Sequence, residues 1–210
     1  TMTGPVFVQL LEKYRSWTPD LIGDRDAKVM ERFPALEPLL GGDLNALRSP
    51  DLFQFDDMEQ FGVTVRVLNS FVRELDDVEL VATAAIENLE RQNIAYAEFT
   101  FDLERFSRLD TSMVQVGQRL DAISNAAPIG VKWLADPNRD NGPDRARGLV
   151  ERLIDAHFEP LAGISLSGRE RDFPPRLFAD MFKMAHAADL RSTIHAGEML
   201  GADSIWHVVN

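Results

Sequence analysis

The sequence predicts an α/β fold in which a parallel sheet follows a helical N-terminal segment. Four short predicted strands, at residues 93–101, 129–136, 161–168 and 191–198, alternate with longer helical patterns. Such alternation is typical of βαβ units, whose strands run parallel. Polar and glycine residues gather where these segments end, and the C-terminal ends of parallel strands are where barrels and doubly wound sheets bind ligands.

We predict residues 1–50 to be an N-terminal helical extension and residues 51–210 to form the remainder of a single domain. Two apolar sets recur at helical spacing in the extension: Val8, Leu10, Leu11 and Tyr14, and then Val29, Met30, Phe33 and Leu36. Pro34 and Pro38 interrupt the second set, because proline breaks a helix interior. A loop rich in glycine and polar residues is predicted over 41–50.

A longer helical stretch is predicted at residues 56–92, with a break at Asp76 and Asp77. That aspartate pair and the pair at Asp56 and Asp57 both fall at helix starts, where carboxylates accept hydrogen bonds from free backbone amides. We therefore interpret both pairs as helix caps and not as metal ligands.

The remaining elements alternate in order. After the strand at 93–101 come a strand at 129–136, a helix at 141–158 opened by Pro143, a strand at 161–168, a helix at 175–190, a strand at 191–198 and a helix beginning at Ala202.

Composition excludes several classes of function. The 210 residues carry a formal net charge of −12 and no cysteine. An acidic chain is a poor match for nucleic-acid backbones or anionic membrane surfaces, which attract basic proteins. The lack of cysteine excludes disulfides, thiolate zinc sites and thiol nucleophiles. No apolar run reaches the ~20 residues that span a bilayer, and the N-terminus lacks the pattern of a signal peptide. We therefore expect a cytoplasmic protein.

His195 is the histidine with the most suggestive position, because it lies near the end of a predicted strand and precedes Ala196 and Gly197. Such a position exposes an imidazole to the ligand-binding edge of a parallel sheet, so His195 is a candidate metal ligand or base. His157, His186 and His207 fall in predicted helices and are expected to be structural or surface residues.

Several polar residues near the strand ends allow two interpretations each. Glu198 either tightens the loop or caps the following helix, or else acts as an acid or base. Gly168 either permits a tight turn with positive φ or presents its backbone N–H to a ligand. We expect Asp136 and Arg139 to form an ion pair that supports their loop. Glu98 lies within the first strand and needs a polar partner if it is buried.

Taken together, three segments resemble the adenosine/AMP deaminase family, whose members are zinc-dependent (β/α)₈ barrels of the amidohydrolase type. The segments read NIAYAEFTF, GISLSGRE and STIHAGEMLGADSIWHVV. The last is the most specific, and the similarity runs from about Phe53 to the final residue. The resemblance implies an α/β fold that forms part of a (β/α)₈ TIM-type barrel, with about four strands.

The resemblance also implies roles for three residues. His195 would bind zinc, Glu198 would move a proton to the purine ring, and Gly168 would contact the purine. The reaction would be hydrolytic deamination of an aminopurine such as adenosine by zinc-activated water. The zinc site is incomplete in this sequence, because the family's His-x-His pair is absent and the sequence ends before the strand that carries the last zinc ligand.

Two hypotheses follow for the 210-residue chain. In the first, it is a fragment or truncated member of a deaminase, inactive alone, whose complete protein binds an aminopurine nucleoside. In the second, it is a degenerate, non-catalytic relative that acts by associating with a partner. Either way we expect self-association or pairing with a complementing fragment, and no binding to nucleic acid or membrane.

Overall fold

The computed structural model describes residues 4–14, 24–41, 43, 45–46, 49–107, 111–156 and 161–209. The chain divides into two compact units, Thr1–Asn88 and Leu89–Asn210. The division after residue 50 that we expect from the sequence stays a prediction. None of the helices in the described part of the chain combines the length and hydropathy needed to cross a membrane.

The first unit is helical. Its helices are α1 (Gly4–Lys13), α2 (Asp24–Glu31), α3 (Glu37–Leu40), α4 (Met58–Ser70) and most of α5 (Leu75–Arg91), with 3₁₀ turns at Pro34–Leu36 and Pro50–Phe53. The apolar sets expected from the sequence form much of its core: Leu10, Leu11, Val29, Phe33 and Leu36 are buried, and Tyr14 and Met30 pack against them. The helical periodicity therefore identified most of these core positions, but Val8 is only partly buried, and Val6 and Phe7, which were not predicted, are in the core.

One aspartate of each predicted pair, Asp57 and Asp77, caps a long helix of this unit. The Asp57 carboxylate accepts hydrogen bonds from the amides of Glu59 (2.9 Å) and Gln60 (3.0 Å) at the start of α4. At the start of α5, the Asp77 carboxylate reaches back to the amides of Arg73 (2.8 Å) and Glu74 (3.1 Å). Each cap satisfies donors that have no partner inside the helix.

The second unit contains the parallel sheet. Its strands are β1 (Tyr96–Asp102), β2 (Gly130–Asp136), β3 (Leu161–Ile164) and β4 (Arg191–Ser192), in the spatial order β1-β2-β3-β4. All three neighbouring pairs are parallel. The helices of this unit are α6 (Leu103–Phe106), α7 (Met113–Ala126), α8 (Pro143–Asp155), α9 (Ala179–Ala187) and α10 (Ala202–Val209), with 3₁₀ turns at Arg139–Asn141 and Pro175–Phe178. The predicted α/β architecture with parallel strands is confirmed.

The last two strands are shorter than predicted, but inter-strand hydrogen bonding continues beyond them. The Thr193 amide donates to the carbonyl of Ile164 (3.0 Å), and the His195 amide donates to that of Leu166 (3.0 Å). The chain leaving β4 is thus still joined to the chain leaving β3 where the candidate residues begin.

Helix α7 was not predicted from the sequence. A capping box begins it: the Ser112 hydroxyl accepts from the Gln115 amide (3.2 Å), and the Gln115 side chain accepts from the Ser112 amide (2.9 Å). The Ser-x-x-Gln pattern was a visible signal for this start. The helix packs against β2, because the Trp133 indole N–H donates to the Ser124 hydroxyl at 2.8 Å.

The side of β2 that bears Trp133 faces α7, so residues of the opposite parity lie on the other face of the sheet. Glu98 is on that face, opposite Lys132 in the register. It is exposed and accepts a hydrogen bond from the Tyr96 hydroxyl at 2.7 Å. Glu98 therefore needs no buried partner.

Candidate functional site at the C-terminal edge of the sheet

The four parallel strands end along one edge, and the polar residues that follow them form the candidate site. Asp102 ends β1 and Asp136 ends β2, and the two are register partners. Gly168 lies in the chain after β3, and His195 and Glu198 lie in the chain after β4. Because neighbouring parallel strands end at the same edge of the sheet, the strand pairing brings these positions to one edge.

His195 and Glu198 both have exposed side chains. The backbone of His195 is fixed on both sides, since its amide donates to the Leu166 carbonyl (3.0 Å) and its carbonyl accepts from the Arg139 guanidinium (2.5 Å). An imidazole and a carboxylate three residues apart thus face solvent at the edge where parallel sheets bind ligands.

Gly197, between them, has a backbone conformation that only glycine adopts readily. Its φ is +80°, and an added Cβ would lie 2.7 Å from Cγ1 of Ile205 in α10. The turn therefore lets the chain fold closely against the last helix.

Gly168 lies in a tight turn with positive φ, which was the first of the two interpretations of this glycine. Its φ is +108°, and an added Cβ would lie 2.6 Å from the Asp140 carboxylate and 2.7 Å from the Asn138 amide oxygen. The next residue, Arg169, donates to the Asp140 carboxylate from its amide (2.6 Å) and from Nε (3.0 Å). The loops after β2 and β3 are therefore interlocked at this glycine.

Arg139 is fully buried and supports its loop in a different way from the one expected. Its guanidinium donates to the carbonyls of Leu166 (3.0 Å), His195 (2.5 Å) and Phe173 (3.4 Å). The expected ion pair with Asp136 is wrong, because Asp136 instead accepts from backbone amides. A guanidinium with several donors in one plane suits the bridging of separate carbonyls.

Glu170 is a buried residue whose contacts the sequence did not reveal. Its carboxylate accepts from the amides of Gly197 (2.7 Å) and Met199 (2.9 Å) and from the Ser204 hydroxyl in α10. Burial alone would raise the pKa of this carboxyl, but these hydrogen bonds and the nearby Arg139 guanidinium outweigh burial and lower it. Glu170 is therefore ionised at neutral pH.

Asp102 has the most perturbed carboxyl at this edge of the sheet. Burial and the neighbouring charge of Asp136 raise its pKa to about 6, although a hydrogen bond from the Arg105 amide opposes the rise. A carboxyl with such a pKa can hold and release a proton near neutral pH. No local pattern in the sequence pointed to this residue.

The described residues do not form a metal centre by themselves. No group of three or more histidine, aspartate or glutamate side chains within them is arranged to hold a metal ion. His186 in α9 contacts the Ser192 hydroxyl at 2.8 Å, His207 is exposed in α10, and His157 lies outside the described residues. Among the described residues His195 remains the one candidate ligand, and three protein ligands are usual for catalytic zinc.

Sequence comparison identifies relatives over nearly the whole chain. A model of the adenosine deaminase family matches residues 16–210, which extends the similarity seen in the motifs to the N-terminal region. The adenosine deaminase of Pseudoalteromonas translucida is 28% identical over 96% of this chain and 57% of its own length. The adenosine deaminase of Edwardsiella ictaluri is 32% identical over 76% of this chain and 47% of its own length. The aminodeoxyfutalosine deaminase of Streptomyces avermitilis is 26% identical over 88% of this chain and 53% of its own length.

Solved structures share the fold. An adenine deaminase from Arthrobacter aurescens superposes with a TM-score of 0.78 at 21% identity, over 100% of this chain and 58% of its own. A zinc-bound amidohydrolase from Burkholderia ambifaria superposes with a TM-score of 0.69 at 22% identity, over 89% of this chain and 52% of its own. The predicted α/β fold, arranged as part of a TIM-type barrel, is confirmed. The chain spans about half the length of the relatives that it matches. On the strength of the family match, the chain belongs to the adenosine deaminase family.

Proposed function

We propose that this chain contributes part of the active site of a hydrolase that deaminates an aminopurine base, nucleoside or nucleotide. The observation that supports it is the pairing of His195 and Glu198, exposed at the ligand-binding edge of a sheet that belongs to a deaminase family. Relatives with the same fold include an adenine deaminase and an N6-methyl-AMP deaminase, so the shared substrate feature is a purine with an amino group.

Each candidate residue has a separate role in this proposal. His195 is a zinc ligand, and Glu198 transfers a proton to the purine ring, for which an exposed carboxylate at the substrate edge is suited. The Gly168 amide binds the purine. Within the described residues this amide donates no hydrogen bond, and the next residue, Arg169, is held by the Asp140 carboxylate.

Zinc binding in this proposal requires ligands beyond the described residues, which offer a single candidate imidazole. A polypeptide of these 210 residues alone is therefore proposed to be inactive. The active form is the polypeptide of the complete reading frame, or an assembly in which another chain supplies the remaining ligands.

Ammonia release tests the proposed reaction. The protein expressed from the complete reading frame is loaded with zinc and incubated with adenine, adenosine and AMP. We expect ammonia from at least one of them, and a loss of about 100-fold or more in Glu198→Gln, since proton transfer contributes ~10²–10⁴ to rate. The control Glu151→Gln changes an exposed carboxylate on α8 and should leave the rate unchanged. No ammonia from any aminopurine would contradict the proposal.

A second function, association without catalysis, is favoured by the surface of α10. Ile205, Trp206 and Val209 are 48%, 62% and 68% exposed, and exposed apolar clusters of this kind mark interaction sites. We propose that the chain pairs with a copy of itself or with a complementing chain through this surface. Sedimentation of the 23.6 kDa chain tests the pairing: a dimer or larger species supports it, and a stable monomer at all concentrations contradicts it.

A further inference from the structure

The segment from His195 to Met199 belongs to neither a helix nor a strand. Its backbone is nevertheless held at three alternate residues by two buried side chains. The His195 carbonyl accepts from the Arg139 guanidinium at 2.5 Å, and the amides of Gly197 and Met199 donate to the two carboxylate oxygens of Glu170 at 2.7 and 2.9 Å.

The two carboxylate oxygens of Glu170 accept hydrogen bonds from the backbone amides on either side of Glu198. Peptide groups in a segment without regular structure have no partner in a helix or sheet, and here a side chain satisfies two of them. The same carboxylate accepts from the Ser204 hydroxyl, which links the segment to the first turn of α10. Glu170 thus fixes the segment to the last helix at two amides.

Arg139 fixes the other end of the segment to the chain that leaves β3. Its guanidinium bonds the Leu166 carbonyl (3.0 Å) as well as that of His195. Arg139 and Glu170 are 0% and 1% exposed, and their opposite charges stabilise each other in an interior where screening is weak. Side chains this buried have few rotamers available, so they are rigid supports for a segment that carries exposed functional groups.

We propose that Glu170 and Arg139 are positioning residues, which hold the His195–Met199 segment so that the side chains of His195 and Glu198 face the C-terminal edge of the sheet. The inference deepens the proposed function and rests on it, because the segment matters for catalysis only if His195 and Glu198 do. Neither positioning residue has to touch a substrate.

Amide hydrogen exchange of the ¹⁵N-labelled chain, followed by NMR, tests the proposal. A glutamine at position 170 has one acceptor oxygen and one NH₂ group, so it can satisfy only one of the two amides. In Glu170→Gln we expect either Gly197 or Met199 to exchange about tenfold or more faster, while the other keeps its protection. In Glu170→Ala both amides should exchange faster.

An internal reference separates this local effect from general destabilisation. The Ser165 amide donates to the Ala135 carbonyl between strands (2.8 Å), and its exchange should change by less than about twofold in Glu170→Gln. Glu151→Gln, on the exposed face of α8, should alter none of the three amides. Glu170→Gln is nearly isosteric with the wild type, so it carries the test even if Glu170→Ala does not fold.

Residual dipolar couplings of the Cα–Hα bonds of His195 and Glu198 report the direction of the segment. We expect them to change in Glu170→Gln and in Arg139→Lys, which keeps the charge but loses the planar donor pair, while couplings in β2 stay the same. Unchanged couplings, or exchange that accelerates equally at Ser165, would overturn the proposal and leave both residues with a stabilising role alone. These measurements use no substrate or metal. A failed deamination assay would therefore refute the proposed function but would not change the result on how the segment is held.

Discussion

Replacement of Gly163 by alanine should separate β3 from β4. Gly163 is the register partner of Arg191, and a Cβ added to it would lie 2.2 Å from the Arg191 carbonyl oxygen and 2.7 Å from the carbonyl carbon. Non-bonded carbon atoms prefer roughly 3.5–4 Å, so the two strands would have to move apart by about 1 Å. Because both atoms belong to backbone, no rotamer change can relieve the contact. The hydrogen bonds that carry the chain towards His195 would lengthen with it.

We expect Gly163→Ala to lower the free energy of unfolding by about 3 kcal/mol, the upper end of the usual range for overpacking. For a chain of this length, that corresponds to a melting temperature lower by about 6–12 °C. Thermal and urea unfolding followed by circular dichroism measure both quantities.

The matched control is Gly148→Ala in α8, where an added Cβ meets no atom within 4 Å. Alanine favours helix over glycine by ~1 kcal/mol, so this variant should be as stable as the wild type or more stable. If Gly163→Ala unfolds at the wild-type temperature while Gly148→Ala behaves as expected, the close approach of β3 and β4 is refuted.

Three further predictions concern turns and carboxylates. Gly168→Ala should lower stability by about 2–3 kcal/mol, because its φ of +108° and the contacts with Asp140 both oppose a Cβ; urea midpoints equal to wild type would contradict this. The raised pKa of Asp102, about 6 against 3.8, means that the folded chain binds its proton more tightly, so stability falls as pH rises between these values. Asp102→Asn removes that loss, and its stability relative to wild type should rise by about 2 kcal/mol between pH ~4 and ~7; a constant difference in urea unfolding would be inconsistent with the burial of this carboxyl. Burial opposes ionisation of Asp77, but hydrogen bonds from Lys13 and Tyr14 outweigh it and lower the pKa of Asp77. Its stabilising effect is therefore present above pH ~4 and is lost on acidification. Asp77→Asn should lower stability by about 1–2 kcal/mol at neutral pH, and the deficit should shrink below pH ~4; a deficit independent of pH would show that charge is not its cause.

The parallel direction of the strands was predictable from local pattern, whereas their spatial order followed only from the resemblance to a (β/α)₈ barrel. Apolar segments that alternate with helices define βαβ units, and such units fix parallel pairing. The length of β4 was not predictable in the same way, since only Arg191 and Ser192 pair regularly although we predict a strand over 191–198. Helix α7 could have been found from Ser112 and Gln115 at its start.

In the candidate site too, residues with local sequence signals were predictable, and residues that act through distant contacts were not. His195, Glu198 and the turn at Gly168 were visible, because a strand end and a glycine are local signals. Glu170 and Arg139 act on partners 27 and 56 positions away in sequence, and spacing within a motif contains no information about contacts over such separations. The expected ion pair between Asp136 and Arg139 failed for the same reason: distant carbonyls competed for the guanidinium.

The proposal that His195 is a zinc ligand is tested most directly by metal content. The protein from the complete reading frame is purified as wild type, as His195→Ala and as His186→Ala, passed through gel filtration to remove free metal, and measured by elemental analysis. His186 is the matched control, because it is an exposed histidine whose ring contacts the Ser192 hydroxyl. We predict about one zinc per chain in the wild type and in His186→Ala, and less than about a tenth of that in His195→Ala. Wild-type zinc content in His195→Ala, or no zinc in the wild type, would contradict the account.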